Sequence, residues 1–279
     1  MSPLPTPIFL PGMSPANSTS TSASASAPAP TSTAIPERLK EETRAPSDAP
    51  ASSTNGEELS AKEFPQPRLR LQLNDVTDNG TSIFLSNVSP STLLPSAVSQ
   101  VQKALYVHPN RGYHMPSTRS VTLIVRPMDG VAYTTGIDLD PEQHKEIHFS
   151  SHYIASIAPE RRSREIEGVI VHELVHCYQY NGRGNAPGGL IEGIADWVRL
   201  GAGLAPPHWR KDEELKEKWD AGYQHTAYFL QYLEERFGEG TVRRLNEGLR
   251  TSKYEEKPFW TGILGRPIEQ LWEDYKAQA

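Results

Sequence analysis

The run EGVIVHELVHCYQY, residues 167–180, constrains the fold more than any other segment of the chain. Val169, Ile170, Val171, Leu174 and Val175, with Ile166 just before them, put apolar side chains on nearly every side of a helix, and such a helix is buried. Inside it lie His172, Glu173 and His176. A polar group buried without a partner costs about 1–3 kcal/mol, and an ionised carboxylate costs more. Residues four apart on a helix share a face with about 6 Å between them, so two imidazoles reach a single zinc ion while Glu173 projects toward the open coordination position. A metal removes the burial cost. The bland alternative is an exposed helix that carries the pattern by accident, or core histidines bonded to backbone.

The residues that follow supply a third ligand. Asn181, Gly182, Gly184, Asn185, Pro187, Gly188 and Gly189 make a tight reversal, and LIEGIADWVRL (190–200) returns as a second helix. Glu192 and Asp196 again stand four apart, among apolar Leu190, Ile191, Ile194, Ala195 and Val198. Glu192 completes a His, His, Glu shell for Zn2+, and Asp196 accepts the second N–H of a ligating histidine and fixes its tautomer. Cysteine offers no rival chemistry. With Cys177 alone, neither an internal disulfide nor a site of several thiolates is possible. Cys177 is turned by about 100° from His176 on the helix and is expected to be a small core residue.

Strand-like patterns precede this helical region. RLRLQLND, from Arg68, alternates apolar and polar residues, and VTLIVRP (121–127), VAYTTGI (131–137) and KEIHFS (145–150) are rich in β-branched and aromatic residues. Asp129-Gly130 and Asn79-Gly80 read as turns, and Pro95 to Val107 as a helix with Val98, Val101, Leu105 and Val107 on one side. Beyond Pro159, helices are expected over 163–180, 189–202, 219–237, 241–249 and 267–276. Strands first and helices afterwards predict an α+β domain, with a small mixed or antiparallel sheet packed on a helical half. This domain is expected to span 64–279. Residues 1–63 are dominated by Ser, Thr, Pro and Ala, which predicts a disordered leader.

Charge and hydropathy narrow the partners. A formal net charge of −6 offers no broad basic face, so nucleic acid is not expected as a partner. No stretch approaches the roughly 18–20 consecutive apolar residues of a transmembrane helix. The first residues, MSPLPTPIFLPGMSP, carry no Lys or Arg before a short apolar run that Pro5, Pro7 and Pro11 interrupt. This is a poor secretory signal, so an intracellular or non-classically secreted protein is expected.

HELVH followed by GLIEGIADWVR (189–199) resembles the zinc peptidase-like domain of the plant basic secretory protein family, which also occurs in fungi and bacteria. EIHFSSHYIA (146–155), APGG (186–189) and GYQHTAYFLQYLE (222–234) extend the resemblance from about residue 68 to the C-terminus. That family in turn resembles the thermolysin-like, Glu-ligand metallopeptidases, in which a Glu and a following Asp hold the roles given to Glu192 and Asp196. The resemblance implies a zincin-like architecture, endopeptidase chemistry on a peptide or protein substrate, and secretion.

The roles follow from physical chemistry. Zinc with three protein ligands keeps its fourth position for water, whose pKa falls toward about 7. Glu173 accepts the proton and later passes it to the leaving amine. A further donor is needed for the oxyanion. Tyr223 is the first candidate and His225 the second, because both open a helix at a glycine; the alternative for Tyr223 is a packed aromatic. The run IHFSSHYI (147–154) is expected to offer a sheet edge to an extended substrate.

Other candidates read as structural. His144, His148 and His152 recur every fourth residue, but Ile147 and Phe149 flank His148 in strand alternation, so no metal role is expected. Arg161, Arg162 and Arg164 read as a solvated cluster, and the five tryptophans as core. Two function classes remain: a zinc-dependent peptidase, and a catalytically inactive zinc-stabilised domain that binds protein or polysaccharide. A structural zinc site closes its fourth position with a protein ligand and has no use for a base, so the presence of Glu173 separates the two.

Overall fold

Leu123 and Val125 on one strand, and Ile147 and Phe149 on its neighbour, are fully buried and give one side of a sheet an apolar surface. The computed structural model containing that sheet describes residues 64–106, 114–137, 140–211 and 218–278. The expected leader 1–63 and Val107 lie outside the described residues. The chain runs β1 (Arg68–Leu73), α1 (Asn79–Asn87), α2 (Pro90–Tyr106), β2 (Ser120–Arg126), β3 (Ala132–Ile137) and β4 (Asp140–Ser150). The four strands form one mixed sheet in the order β1-β2-β4-β3. β1 pairs with β2, and β2 with β4, in parallel; β3 returns antiparallel to β4. A parallel pair needs a crossover, and α1 with α2 supplies the one between β1 and β2.

The second half is helical: α3 (Ser151–Ser156), a single 3-10 turn at Pro159–Arg161, α4 (Arg162–His176), α5 (Gly188–Gly201), α6 (Tyr223–Phe237), α7 (Thr241–Thr251), α8 (Glu256–Leu264) and α9 (Ile268–Lys276). The architecture is the expected mixed α+β class. Among the described residues, no helix is long and apolar enough to cross a membrane. α4 is the hub, packing against α2, α5 and β3, with Ile166, Ile170, Val171, Leu174 and Val175 fully buried. Cys177 is buried in the core, as are Trp209, Trp219, Trp260 and Trp272; Trp197 is half-buried and donates to Gln231 Oε1 at 3.1 Å.

The structure corrects several local expectations. Asn79-Gly80 opens a helix rather than a turn, because Asp78 caps it by accepting from the Thr81 N–H at 3.1 Å. Gly80 serves a close approach instead, since a Cβ there would lie 2.0 Å from the Ser151 carbonyl oxygen. α2 begins five residues before Pro95, at Pro90, whose missing N–H is harmless in the first helical position. α4 stops at His176, and the residues that would have continued it are bonded to other elements. Thr118 Oγ1 donates to the Cys177 carbonyl, Tyr106 to that of Tyr178, and the Tyr180 N–H turns to Asn246 Oδ1 on α7. α6 starts at Tyr223 rather than Trp219, after Gly222 turns the chain with φ +87°.

One surface expectation also changes. The run IHFSSHYI is not an edge: β4 lies between β2 and β3, and Ser150 Oγ caps α3 by accepting from the Tyr153 N–H at 3.2 Å. The arginine cluster expected to be solvated does reach solvent, with Arg164 exposed, and is also bonded. Arg161 pairs with Glu165 at 2.6 Å, Arg162 donates to the Ile157 carbonyl and Arg164 to that of Gly203.

The contact between α5 and α6 is close enough to be tested by one methyl group. A Cβ at Gly193 would stand 2.2 Å from Thr226 Cγ2, whereas Gly188 has nothing within 4 Å. Gly193→Val is expected to lower the unfolding free energy by about 1–3 kcal/mol through overpacking. Chemical denaturation reads this as a lower midpoint at an unchanged slope, with Gly188→Ala near wild type.

Candidate metal centre

α4 carries His172 and His176 one turn apart, and the reversal after it brings α5 back alongside. Gly182, Arg183 and Gly184 take positive φ values of +61°, +57° and +77° to make that reversal. The His172 Nδ1–H donates to Asp196 Oδ1 at 2.7 Å, which leaves Nε2 as the nitrogen that a cation would meet. That Nε2 lies 3.1 Å from Glu192 Oε2 and 3.3 Å from His176 Nε2, and His176 Nε2 is 3.8 Å from the same Glu192 oxygen. An ion with tetrahedral bonds of about 2.0–2.1 Å sets its ligand atoms roughly 3.3–3.4 Å apart. The donor set of His172, His176 and Glu192 therefore fits a metal ion in chemistry and in spacing.

The electrostatics ask for one positive charge between the two rings. Burial opposes charge on His172, but the Asp196 and Glu192 carboxylates outweigh it and hold its pKa well above the usual value. Burial pulls His176 down to about 4, and the neighbouring His172 charge adds to the effect. Glu192 sits below the usual carboxylate range: burial raises it, but the His172 hydrogen bond and both histidine charges prevail. Glu173 is 1% exposed and its carboxyl is lifted by burial to about 7, against the opposing pull of His172 and Thr134. Its Oε2 accepts from Thr134 Oγ1 at 2.7 Å, and its buried Oε1 has no partner among the described residues.

Beside this cluster is a cleft to which His172, Glu173 and Asp196 contribute. Tyr223 stands on its other side, half-buried, with a backbone φ of +49° that a tyrosine rarely adopts. Burial and the surrounding Glu192, Asp196 and Glu173 charges keep its phenol protonated well above the ordinary range. His225, the second candidate donor, is half-buried on the same helix and does not line the cleft. Val131, Val169, Pro206 and Trp209 give the cleft apolar walls.

The cleft is also lined by a buried ion pair that the sequence did not reveal. Arg199 Nη2 meets Glu165 Oε1 at 3.0 Å, Arg199 Nε donates to the Leu204 carbonyl at 3.0 Å, and Tyr153 donates to Glu165 at 2.8 Å. Arg199 also stacks over Trp209, 5.4 Å from the ring centre. The Glu165–Arg199 spacing in sequence carries no motif, and Thr134 lies in an ordinary strand pattern. Only the packing of α4 against α5 and β3 brings them to the site. The discounted histidines lie elsewhere: His144 bonds Ser120 at 2.7 Å, His148 stacks on Tyr133 with ring centres 4.6 Å apart, and His152 is exposed.

Fold and site together describe an α+β protein with a metal-capable His, His, Glu cluster and a buried carboxylate at the head of a cleft. The sequence model of the family described as "Peptidase of plants and bacteria" (BSP) matches residues 66–275. The chain belongs to that peptidase family, in keeping with the resemblance to the basic secretory proteins. Searches of curated proteins and of solved structures returned no match.

Asp196 is expected to set metal affinity without touching the ion. Asp196→Ala should weaken zinc binding by about 10- to 100-fold, measured by competition with a chromogenic chelator.

Proposed function

We propose that this chain is a zinc-dependent endopeptidase of zincin-like architecture. His172, His176 and Glu192 are the metal ligands, Asp196 orients His172, Glu173 is the general base and Tyr223 the oxyanion donor. The observation that carries this reading is the convergence of three ligand atoms next to a carboxylate whose one free oxygen has no protein partner, at the head of a cleft. A purely structural zinc site needs no such base.

Zinc at these ligands supplies a Lewis acid and makes water reactive near neutral pH. The protein's own groups do the rest. Glu173 takes a proton from the attacking water and delivers it to the leaving amine, and its lifted pKa suits both directions of transfer. Asp196, through the Nδ1–H of His172, keeps the ring in one tautomer and one orientation. The Tyr223 phenol is protonated at neutral pH and faces the cleft, as a donor to developing negative charge must. Its positive φ is the kind of local strain, of order 1–3 kcal/mol, that persists where the surroundings impose it.

An extended substrate pairs with β3 in this reading, rather than with residues 147–154. β3 is the sheet edge that packs against α4, and among the described residues no strand pairs with its outer side, which would offer backbone N–H and C=O groups to a peptide.

Glu173→Gln is expected to bind zinc stoichiometrically, by plasma mass spectrometry, and to lose about 10²–10⁴ in kcat/KM on a cleaved peptide. Equal cleavage by the variant refutes the base assignment. A zinc-loaded wild type that cleaves no member of a broad peptide library refutes the enzyme and leaves a zinc-stabilised binding domain. Tyr223→Phe is expected to lower kcat by about 10²–10³ with little change in KM, the pattern of a donor used in the transition state.

A further inference from the structure

The Glu173 carboxylate is held asymmetrically. Thr134, on the edge strand β3, places its hydroxyl 2.7 Å from Glu173 Oε2 and 2.9 Å from the Glu173 backbone carbonyl oxygen. The other carboxylate oxygen, Oε1, is buried, has no partner among the described residues, and belongs to a residue that lines the cleft. We propose that Thr134 is a positioning residue that divides the two oxygens between two tasks: Oε2 is anchored by the Thr134 hydroxyl, and Oε1 alone takes and releases the proton. This deepens the peptidase reading and rests on Glu173 being the base.

The terminal torsion of a glutamate is broad and nearly two-fold, so a buried carboxylate with no anchor turns and exchanges its oxygens. One hydrogen bond to a single oxygen removes that freedom. Threonine suits the task because its β-branch stiffens χ1, so the strand backbone sets the direction of the hydroxyl. Thr134 pairs with Ile147, whose side chain is fully buried, so β3 is in turn registered on the core.

The proton balance closes without using Thr134 as an acid. The oxygen of the attacking water bonds the scissile carbonyl carbon, whose π pair moves to the carbonyl oxygen, while a water O–H bond breaks and its proton goes to Oε1. The Oε1–H bond then breaks, the proton moves to the leaving nitrogen, and the C–N bond breaks as the amine departs. Thr134 keeps its own proton throughout. While Glu173 is ionised that proton points to Oε2. While Glu173 is neutral, Oε2 still accepts, and the backbone carbonyl at 2.9 Å offers a second acceptor. Neither protonation state strands the hydroxyl.

The test uses the full, zinc-loaded chain with Thr134→Val, close in shape but without the hydroxyl, and Thr134→Ser, which retains it. Val is expected to lower kcat by about 10- to 100-fold with KM within about twofold of wild type. Ser is expected to recover most of the rate. A Val variant as active as wild type, a change confined to KM, or a Ser variant as impaired as Val overturns the proposal. Crystal structures of wild type and Thr134→Val read the anchor without relying on turnover. A Glu173 carboxylate that rotates or splits in the Val variant supports it, and one that stays in place overturns it. A wild type that cleaves nothing removes the peptidase reading and with it the proton-transfer role of Oε1; the crystal structures still decide whether Thr134 anchors Oε2.

Discussion

The desolvation of three polar side chains on one apolar helix is the constraint from which the rest of the molecule follows. α4 is buried on nearly every side, yet His172, Glu173 and His176 lie within it. Each must be answered by a group from another element, because the helix backbone has already used its own donors and acceptors. α5 answers with Asp196 and Glu192, and β3 with Thr134. What these leave over is one bare carboxylate oxygen, Oε1 of Glu173. The two imidazole Nε2 atoms lie 3.3 Å apart beside Glu192, a spacing at which the three side chains could hold a metal ion.

The two helices that carry this site are tied at two levels. Near the middle, Asp196 reaches His172; toward the start of α4, Arg199 reaches Glu165. A buried ion pair by itself is weak support for stability, since desolvation offsets the attraction. This one is bonded on every side, by Tyr153, Arg161 and the Leu204 carbonyl. Breaking it would leave an uncompensated charge beside the cleft. Its value to the site is register: α5 cannot slide along α4 without losing both links. Gly168 makes room for the guanidinium, since a Cβ there would lie 2.7 Å from Arg199 Nε.

The chemistry side of the cleft is drawn from elements with different roles. The three side chains that could hold a metal ion sit on helices, where side-chain direction is set by periodicity. Tyr223 comes instead from the turn into α6, where Gly222 and Tyr223 both take positive φ. The edge strand contributes a hydroxyl that reaches the same carboxylate from the sheet side. β3, the strand proposed to pair with a substrate, thus also carries the hydroxyl that lies 2.7 Å from Glu173 Oε2.

Periodicity over a few residues determined much of this protein. Spacing of four made His172 and His176 one face, and did the same for Glu192 and Asp196; apolar surroundings marked both helices as buried. The alternating strands, the mixed α+β class and the membership of a peptidase family were legible for the same reason: each is written in neighbours along the chain. Tertiary structure decided where those local patterns stop and what they meet. α4 ends at His176, where distant Thr118, Tyr106 and Asn246 bond the backbone of the residues that follow it. β4 is interior because it pairs in parallel with β2 on one side while β3 returns antiparallel on the other. Thr134 and Glu173, 39 residues apart, and Glu165 and Arg199, 34 apart, meet through packing alone. A hydrogen bond across such a span leaves no periodic trace, because its geometry depends on how whole helices and strands stack rather than on the residues between.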